Sequence, residues 1–322
     1  MYQTKKRKNH NKKNVLLYVM KQIKIDEKKY PEFKHFIDKN PELKPLSIKS
    51  YYNNYIRIRK SIEPINELTE KVLNNYIDNF EDSDSWESDM PPSVNTIINI
   101  INVIIQIKRS YDQSIDLLLS KRNELYNIRD KNEVDHLNKL PKKRVISSYL
   151  KKLYTDGLYQ KFIINFLIFY YYLKPTDLNI AIVNKITDTK NHHYNYLVVS
   201  ASHINLVRYG FKTGDKYGRK SFSIKTKIFK DAINKLLKER NADFDKNKLY
   251  FLINTGNNKP INSSLHAKFI KNKLYNQLKY SDYHKINILD AIDNENNVNF
   301  RNASERLGIE YNELIAKYDI DN

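Results

Sequence analysis

A nearly all-apolar stretch from Gln160 to Leu173 sets the strongest limit on the fold. After Phe162, Asn165 is its one strongly polar position, so a helix here would have no face suited to water. The run stops well short of the ~20 residues that a bilayer span needs. We therefore predict a helix at the centre of a globular core.

An apolar stripe upstream predicts a second, separate core. It belongs to a helix that Ser93 caps, and its apolar positions repeat at three-and-four spacing: Val94, Ile97, Ile98, Ile101, Ile104 and Ile105. A helical pattern capped by Ser47 and another from about Leu68 to Phe80 precede this helix, and more helix follows it to about residue 128. The polar stretch over 129–141 predicts a linker.

The second half of the chain mixes helices with short strands. Helical patterns run over 144–155, where Gly157 ends the helix, and over 226–240, 263–280 and 299–319. Strand character is present over 194–199, 203–209 and 219–224. The predicted fold class is therefore mainly α with a small antiparallel sheet (α+β).

A length of 322 residues indicates about two domains. The composition changes at the predicted linker. The predicted divisions are a basic tail and N-terminal extension over 1–35, a helical domain over 36–130, a linker over 131–141 and a second domain over 142–322.

The charge balance points to a polyanionic partner. Lys and Arg number 56 against 37 Asp and Glu, which gives a net charge of +19 and favours nucleic acid. Coding bias is an alternative source of the charge, because Lys, Asn, Ile and Tyr are all abundant. The candidate DNA contacts around the linker are Arg57, Arg59, Lys60, Lys142, Lys143 and Arg144.

Composition also excludes several classes of site. The chain has no cysteine, which excludes disulfides, cysteine-ligated zinc and cysteine nucleophiles and fits a soluble intracellular protein of the nucleus or cytoplasm. Only 6 glycines are present and none forms a phosphate-binding loop, so we expect no nucleotide cofactor. His192 and His193 have no carboxylate at ligand spacing, so we expect no metal site and no other cofactor.

The C-terminal segment carries the most specific pattern. Ala303 to Gly308 predicts a helix closed by glycine, and a further helix leads to Tyr318. A terminal tyrosine also fits a helix that simply packs on the protein body. The ten-residue offset of Tyr318 from Gly308 resembles the nucleophile segment of the tyrosine recombinases (phage-type integrases). In that family a helical core-binding domain and a catalytic domain clamp DNA, and a tyrosine hydroxyl attacks a phosphate.

The resemblance covers about residue 46 to the C-terminus. It implies a catalytic set of two arginines, a lysine, one or two histidine or tryptophan positions and the tyrosine, here Tyr318. The segment from Leu173 to Leu178 matches the motif of the first arginine. Lys174 stands in place of that arginine, and Asp177 in place of the acidic residue that orients it.

The family lysine lies in a β-hairpin, where it protonates the leaving 5′ oxygen. Lys212 matches it, since Lys212 follows the second predicted strand and precedes the third. Lys216 and Lys220 lie nearby and are alternatives to Lys212 as well as candidate DNA contacts.

The second family arginine has no good counterpart. Asn287 or Asp290 falls about where it belongs, depending on the alignment, and His284 matches the histidine of that motif. Ile309 occupies the later His/Trp position. Arg301, or a partner protein, would have to supply the missing positive charge.

Three hypotheses follow. The first is a DNA recombinase that acts through a 3′-phosphotyrosyl intermediate, with double-stranded DNA as partner, a homo-oligomer on DNA, and a viral or mobile-element context. The second is a recombinase-derived protein that binds DNA without cleaving it, because both clamp arginines are replaced. The third is a helical structural or assembly protein whose charge reflects coding bias.

Overall fold

The computed structural model describes residues 25–26, 28–79, 92–189, 193–209, 219–242, 250–253, 269–270, 272–294, 301, 303–304 and 306–307. The chain divides into two compact units between Asn138 and Lys139. This boundary lies inside the segment predicted as a linker. No helix in these ranges is both long and apolar enough to cross a membrane.

The first unit is helical throughout its described part. Its α-helices are α1 (Pro31–Lys39), α2 (Pro45–Arg59), α3 (Glu70–Asp78), α4 (Val94–Ser110) and α5 (Asp116–Asn138), with a 3₁₀ turn at Ile65–Glu67. Helix α4 is the predicted apolar helix, and its side chains at three-and-four spacing are buried against α1, α2 and α5.

Local capping chemistry explains two of these helix starts. The Ser93 side chain accepts a hydrogen bond from the Thr96 amide at the start of α4, as predicted, and Thr69 does the same for α3. Ser47 is not the cap of α2. Lys44 occupies that position because the fixed φ of Pro45 suits the first helical residue, which leaves Ser47 inside the first turn.

Helix α5 corrects the interpretation of 129–141 as a polar linker. The helix continues through Asn138, and Leu137 is buried. Charged and amide residues with good or moderate helix propensity can extend an exposed helix without an apolar stripe, so polarity alone does not indicate a linker. Only residues 139–142 lie between α5 and the next helix.

The second unit combines four helices and five strands in its described part. They are α6 (Lys143–Thr155), α7 (Tyr159–Tyr171), β1 (Ile180–Val183), β2 (Asn195–Val199), β3 (Ile204–Arg208), β4 (Lys220–Ile224), α8 (Lys227–Glu239), β5 (Tyr250–Phe251) and α9 (Tyr280–Asp293). Short 3₁₀ turns lie at Pro175–Leu178, Ile186–Asp188 and Tyr275–Gln277. Gly157, at φ +74°, ends the turn after α6 as predicted. The chain is therefore mainly α with one small sheet, which confirms the predicted class.

The described sheet is mixed, and the prediction of an antiparallel sheet is wrong in this respect. The strand order is β4-β3-β2-β1-β5, and β1 pairs with β2 in parallel while the other neighbours are antiparallel. The three predicted strands are present as β2, β3 and β4. Strands β1 and β5 were missed because both are short and fully buried, so neither shows the alternation that marks a half-buried strand.

Helix α7 forms the centre of this unit, as its composition predicts. Phe162 to Phe169 are all buried, and α6, α8 and α9 pack around the helix. Its polar position is also used: the Asn165 side-chain oxygen accepts a hydrogen bond of 2.6 Å from the Tyr283 hydroxyl on α9. A buried amide with a hydrogen-bond partner does not leave the core with an unsatisfied polar group.

Of the predicted helix over 263–280, Phe269 and Ile270 are helical, but the chain does not continue as an α-helix through 275–277. Asn276 and Gln277 have φ values of +43° and +58°, which no α-helix accommodates. The long helix is instead α9, immediately downstream. Of the predicted helix over 299–319, residues 301, 303–304 and 306–307 are helical, and the remainder lies outside the described residues.

Candidate functional site

Several predicted site residues lie outside the part of the chain that the structure describes. They are the nucleophile candidate Tyr318, the hairpin lysine Lys212 and its neighbour Lys216. The other predicted catalytic residues, Lys174, Asp177 and His284, are all described. We call these three, together with Arg208, the Asp177 cluster.

Lys174 and Asp177 are positioned by the end of α7. Tyr172 adopts a left-handed conformation at φ +54°, which stops the helix, and Pro175 begins the short 3₁₀ turn that follows. Within this turn the Asp177 carboxylate accepts a hydrogen bond of 3.0 Å from the Lys174 backbone amide. The two residues therefore lie on one rigid turn, with Asp177 buried and Lys174 partly exposed.

Arg208 at the end of β3 completes a buried ion pair. Its Nη2 lies 2.9 Å from Asp177 Oδ2, and each side chain is only 4% exposed. Its Nη1 donates a 2.8 Å hydrogen bond to the Arg306 carbonyl. Sequence reasoning missed Arg208, although a signal was present: Arg208 shares a strand face with the buried Ile204 and Leu206, where a charge requires a partner.

Each member of the pair needs the other to remain charged. Burial raises the pKa of the Asp177 carboxyl above its ordinary value, and the Arg208 guanidinium opposes that rise. Burial also lowers the pKa of Arg208, which Asp177 opposes in turn. Because a guanidinium keeps its proton at any ordinary pH, Asp177 is held ionised as its countercharge.

His284 of α9 lies in the same cluster but is sealed from solvent. Its ring contacts Tyr172 and Tyr280 at centroid distances of 5.3 and 5.6 Å, and the imidazole hydrogen-bonds the Leu173 backbone. Its Nε2 has no hydrogen-bond partner among the described residues. Burial lowers the pKa of His284 to about 3, and the positive charges of Lys174 and Arg208 act in the same direction. The ring is therefore neutral at pH 7.

This pKa predicts a loss of stability in mild acid. Between pH 6.5 and 3 the unfolded chain binds a proton at His284 that the folded chain does not, so the free energy of unfolding falls as the pH drops. From pH 7 to pH 5 we expect His284 to contribute a loss of about 2 kcal/mol. Hydrogen exchange of the α9 amides, measured at both pH values, reports that free energy.

The non-titrating variant His284→Gln isolates the effect from that of other groups. The loss between pH 7 and pH 5 should be smaller in His284→Gln by about 2 kcal/mol, whatever the variant's stability at pH 7. Equal losses in wild type and His284→Gln would show that His284 is not buried as a neutral ring.

Arg306 ties the described C-terminal residues to this unit. Its Nη1 donates to the Tyr170 carbonyl, and its guanidinium lies 4.7 Å from the Tyr171 ring centroid. Ala303 and Ser304 are also buried. The backbone just before Gly308 is therefore held against α7, and its Arg306 carbonyl helps to fix Arg208. Arg306 was not among the predicted site residues.

The two candidates for the second arginine position are engaged within the unit. The buried Asn287 side chain donates to the Phe169 carbonyl. Asp290 pairs with Lys143 at 2.6 Å, so its negative charge is neutralised by a residue predicted to bind DNA. The repulsion of a phosphate by Asp290 is correspondingly reduced.

The predicted DNA contacts differ in exposure. Arg59 turns inward, where its Nε lies 3.1 Å from Glu32, and its side chain is 17% exposed. Arg59 and Lys143 are therefore each held in an ion pair within the protein, so the main role of both residues is structural. Lys220 is partly exposed, and the exposed members of the set are Arg57, Lys60, Lys142, Arg144 and Arg301. No group of three or more metal-ligating side chains is suitably placed in the described ranges.

Comparisons with known proteins add one structural likeness. No protein-family model matches the sequence, and no curated protein matches it. Among solved structures, the crystal structure of XerA recombinase matches with a TM-score of 0.36 and 13% sequence identity. The match covers 91% of this chain and 94% of that chain.

Proposed function

We propose that this protein binds duplex DNA and breaks and rejoins it as a tyrosine recombinase, through a 3′-phosphotyrosyl intermediate at Tyr318. The observation that carries the proposal is the convergence of Lys174, Asp177 and His284. Lys174 and Asp177 come from one motif and His284 from a second motif far downstream, and the two motifs lie side by side in a single cluster. A chance match of motifs to unrelated structural positions would not require that proximity.

The proposed chemistry is a transesterification. The Tyr318 hydroxyl gives up its proton to a water molecule as its oxygen bonds to the phosphorus, and the bond from phosphorus to the 5′ oxygen breaks. Lys212 protonates the departing 5′ oxygen. Lys174, partly exposed beside the buried ion pair, offers positive charge to the non-bridging oxygens. Attack by the 5′ hydroxyl on the phosphotyrosyl bond then restores the DNA backbone.

A covalent trap tests this proposal. A pool of nicked duplexes of random sequence should yield a protein–DNA adduct, because the strand fragment released beside the nick diffuses away and cannot rejoin. We expect Tyr318→Phe to abolish the adduct, while Tyr311→Phe, a matched change in the same segment, leaves it intact. An adduct that persists in Tyr318→Phe would refute the assignment of the nucleophile.

A second candidate function is DNA binding without strand cleavage. It is favoured by the burial of the Arg208 guanidinium, which is engaged by Asp177 and the Arg306 carbonyl and so is turned away from a ligand in solvent. His284 is buried and neutral as well. Under this alternative, wild-type protein binds the nicked duplexes and gives no adduct.

Both candidates predict strongly salt-dependent binding to duplex DNA. Each phosphate contact releases condensed counterions, so the logarithm of the binding constant should fall linearly with the logarithm of salt concentration. Replacing Lys142 or Arg144 with glutamine should each reduce that slope by about one. Fluorescence anisotropy with labelled duplex at several salt concentrations measures it.

The matched control for charge is Lys238→Gln, which removes an exposed cation of α8 that is not among the proposed contacts. This variant should keep the wild-type slope. If all three variants change the slope equally, the net charge of +19 acts as a whole and the proposed contacts are wrong.

A further inference from the structure

A pocket of about 370 Å³ lies in the second unit, partly open to solvent, and the proposed DNA chemistry does not use it. Side chains from α6, α7, the start of α8 and the C-terminal residues line it. They include Ser147, Lys151, Phe166, Tyr170, Thr226 and Arg306. Its volume falls within the range of small-molecule sites in proteins.

The inner surface of the pocket is aromatic. The Phe166 ring lies 4.7 Å from that of Tyr170 and 4.6 Å from that of Phe229, and Phe162 is 5.7 Å from Phe166. These rings are packed against one another, so the surface is fixed and presents π faces and edges to an occupant. The aromatic surface favours a planar apolar body.

The charged side chains that line the pocket are both positive. Lys151 and Arg306 both line it, and in the described part of the chain neither Asp nor Glu is among its lining residues. Arg306 is held in place through its contacts with Tyr170 and Tyr171. An occupant would therefore meet a preplaced guanidinium without an opposing carboxylate from the lining.

The start of α8 adds to this positive field. Thr226 is the N-cap of this 13-residue helix, and its side chain makes no capping hydrogen bond. The first amide groups of a helix have no carbonyl partner within it, and the aligned peptide dipoles make this end positive. Thr226 and Ile228 both line the pocket, so the start of the helix and the Thr226 hydroxyl, which makes no capping hydrogen bond, lie at its wall.

We propose that this pocket binds a small aromatic anion, a planar ring system that bears a carboxylate or sulfonate. The anionic group lies against Thr226, the start of α8 and Arg306, and the ring lies on the aromatic inner surface around Phe166. A neutral molecule of the same shape lacks the charge-assisted hydrogen bonds, and a bare inorganic anion lacks the apolar burial. The combination of both features defines the ligand class.

A pair of fluorescent probes tests the proposal. 8-Anilinonaphthalene-1-sulfonate bears a sulfonate on a planar naphthalene ring, and N-phenyl-1-naphthylamine is its neutral counterpart without the sulfonate. We expect the full-length protein to bind the sulfonate saturably at one site and the neutral probe at least ten-fold more weakly. Equal affinity for the two probes would overturn the assignment of an anion site.

Variants of lining residues then locate the binding. Thr226→Val keeps the side-chain shape, and Lys151→Gln removes one charge. Each should weaken sulfonate binding about five-fold, the effect of one hydrogen bond or one exposed charge. Lys152→Gln makes the same charge change at the next residue, outside the lining, and should bind as wild type does. Ser147→Phe should fill the pocket and abolish binding.

The point variants keep the test decisive even if Ser147→Phe does not fold. Wild-type affinity in both Thr226→Val and Lys151→Gln would show that the probe binds elsewhere. The probe would then be an adventitious additive only, and the proposal would be wrong. The outcome is also separate from the DNA hypothesis, because the covalent trap at Tyr318 requires neither Thr226 nor Lys151.

Discussion

Asp177→Asn is expected to lower the free energy of unfolding of the second unit by about 3 kcal/mol at pH 7. The substitution keeps the shape of the side chain but removes the countercharge of Arg208, whose guanidinium is 4% exposed and 2.9 Å away. A buried charge without its partner retains the cost of desolvation and loses the attraction that offset it. Hydrogen exchange of the β3 and α7 amides measures this unit separately from the first.

A surface ion pair of the same unit supplies the control. Lys152 and Asp156 are 2.8 Å apart, but their side chains are 72% and 39% exposed. Asp156→Asn should therefore change the free energy of unfolding by about 0.5 kcal/mol or less. If Asp177→Asn costs no more than Asp156→Asn, the Asp177 cluster is hydrated in solution and its buried ion pair does not exist as described.

Glu32→Ala is expected to destabilise the first unit by about 3–5 kcal/mol. The Glu32 carboxylate accepts hydrogen bonds from the Tyr55 hydroxyl at 2.7 Å and from the backbone amide of Asn66 at 3.1 Å, and it pairs with Arg59. Alanine leaves all three groups without this acceptor and opens a cavity between α1 and α2. Exchange of the buried amides of α4 should report the loss.

Glu63→Ala is the matched control for this change. Glu63 is exposed and lies in the same unit, so its replacement should alter the free energy of unfolding by about 0.5 kcal/mol or less. A third variant, Glu32→Gln, keeps the acceptor oxygen for Tyr55 or Asn66 and should cost less than Glu32→Ala. Similar losses in Glu32→Ala and Glu63→Ala would contradict the buried network.

The helices and strands that sequence reasoning found were those with strong local signals. Ser93 and Gly157 marked a helix start and a helix end because capping and a positive φ depend on a few adjacent residues. The nearly all-apolar composition of α7 predicted that this helix would lie at the centre of its core. Strands β1 and β5 carried no such signal, since their place in the sheet depends on strands far away in the sequence.

The residues of the candidate site show the same difference between local signals and tertiary contacts. Lys174, Asp177 and His284 could be named because motif spacing is a property of the chain alone. Arg208 and Arg306 could not be named in this way, because each acts through a contact across the fold: Arg208 with the Asp177 carboxylate, and Arg306 with α7. Tyr318 and Lys212 stay predictions.

The sequence by itself determined the helix-rich class, the two cores and the positive charge. Periodicity, capping and composition are local properties, and the backbone obeys them within a few residues. Only the tertiary structure decided which charges are buried: Asp177 and Arg208 inside as a pair, Arg59 on Glu32, and His284 neutral. Burial and charge state depend on groups that folding brings together from distant segments, and the order of residues does not specify those neighbours directly.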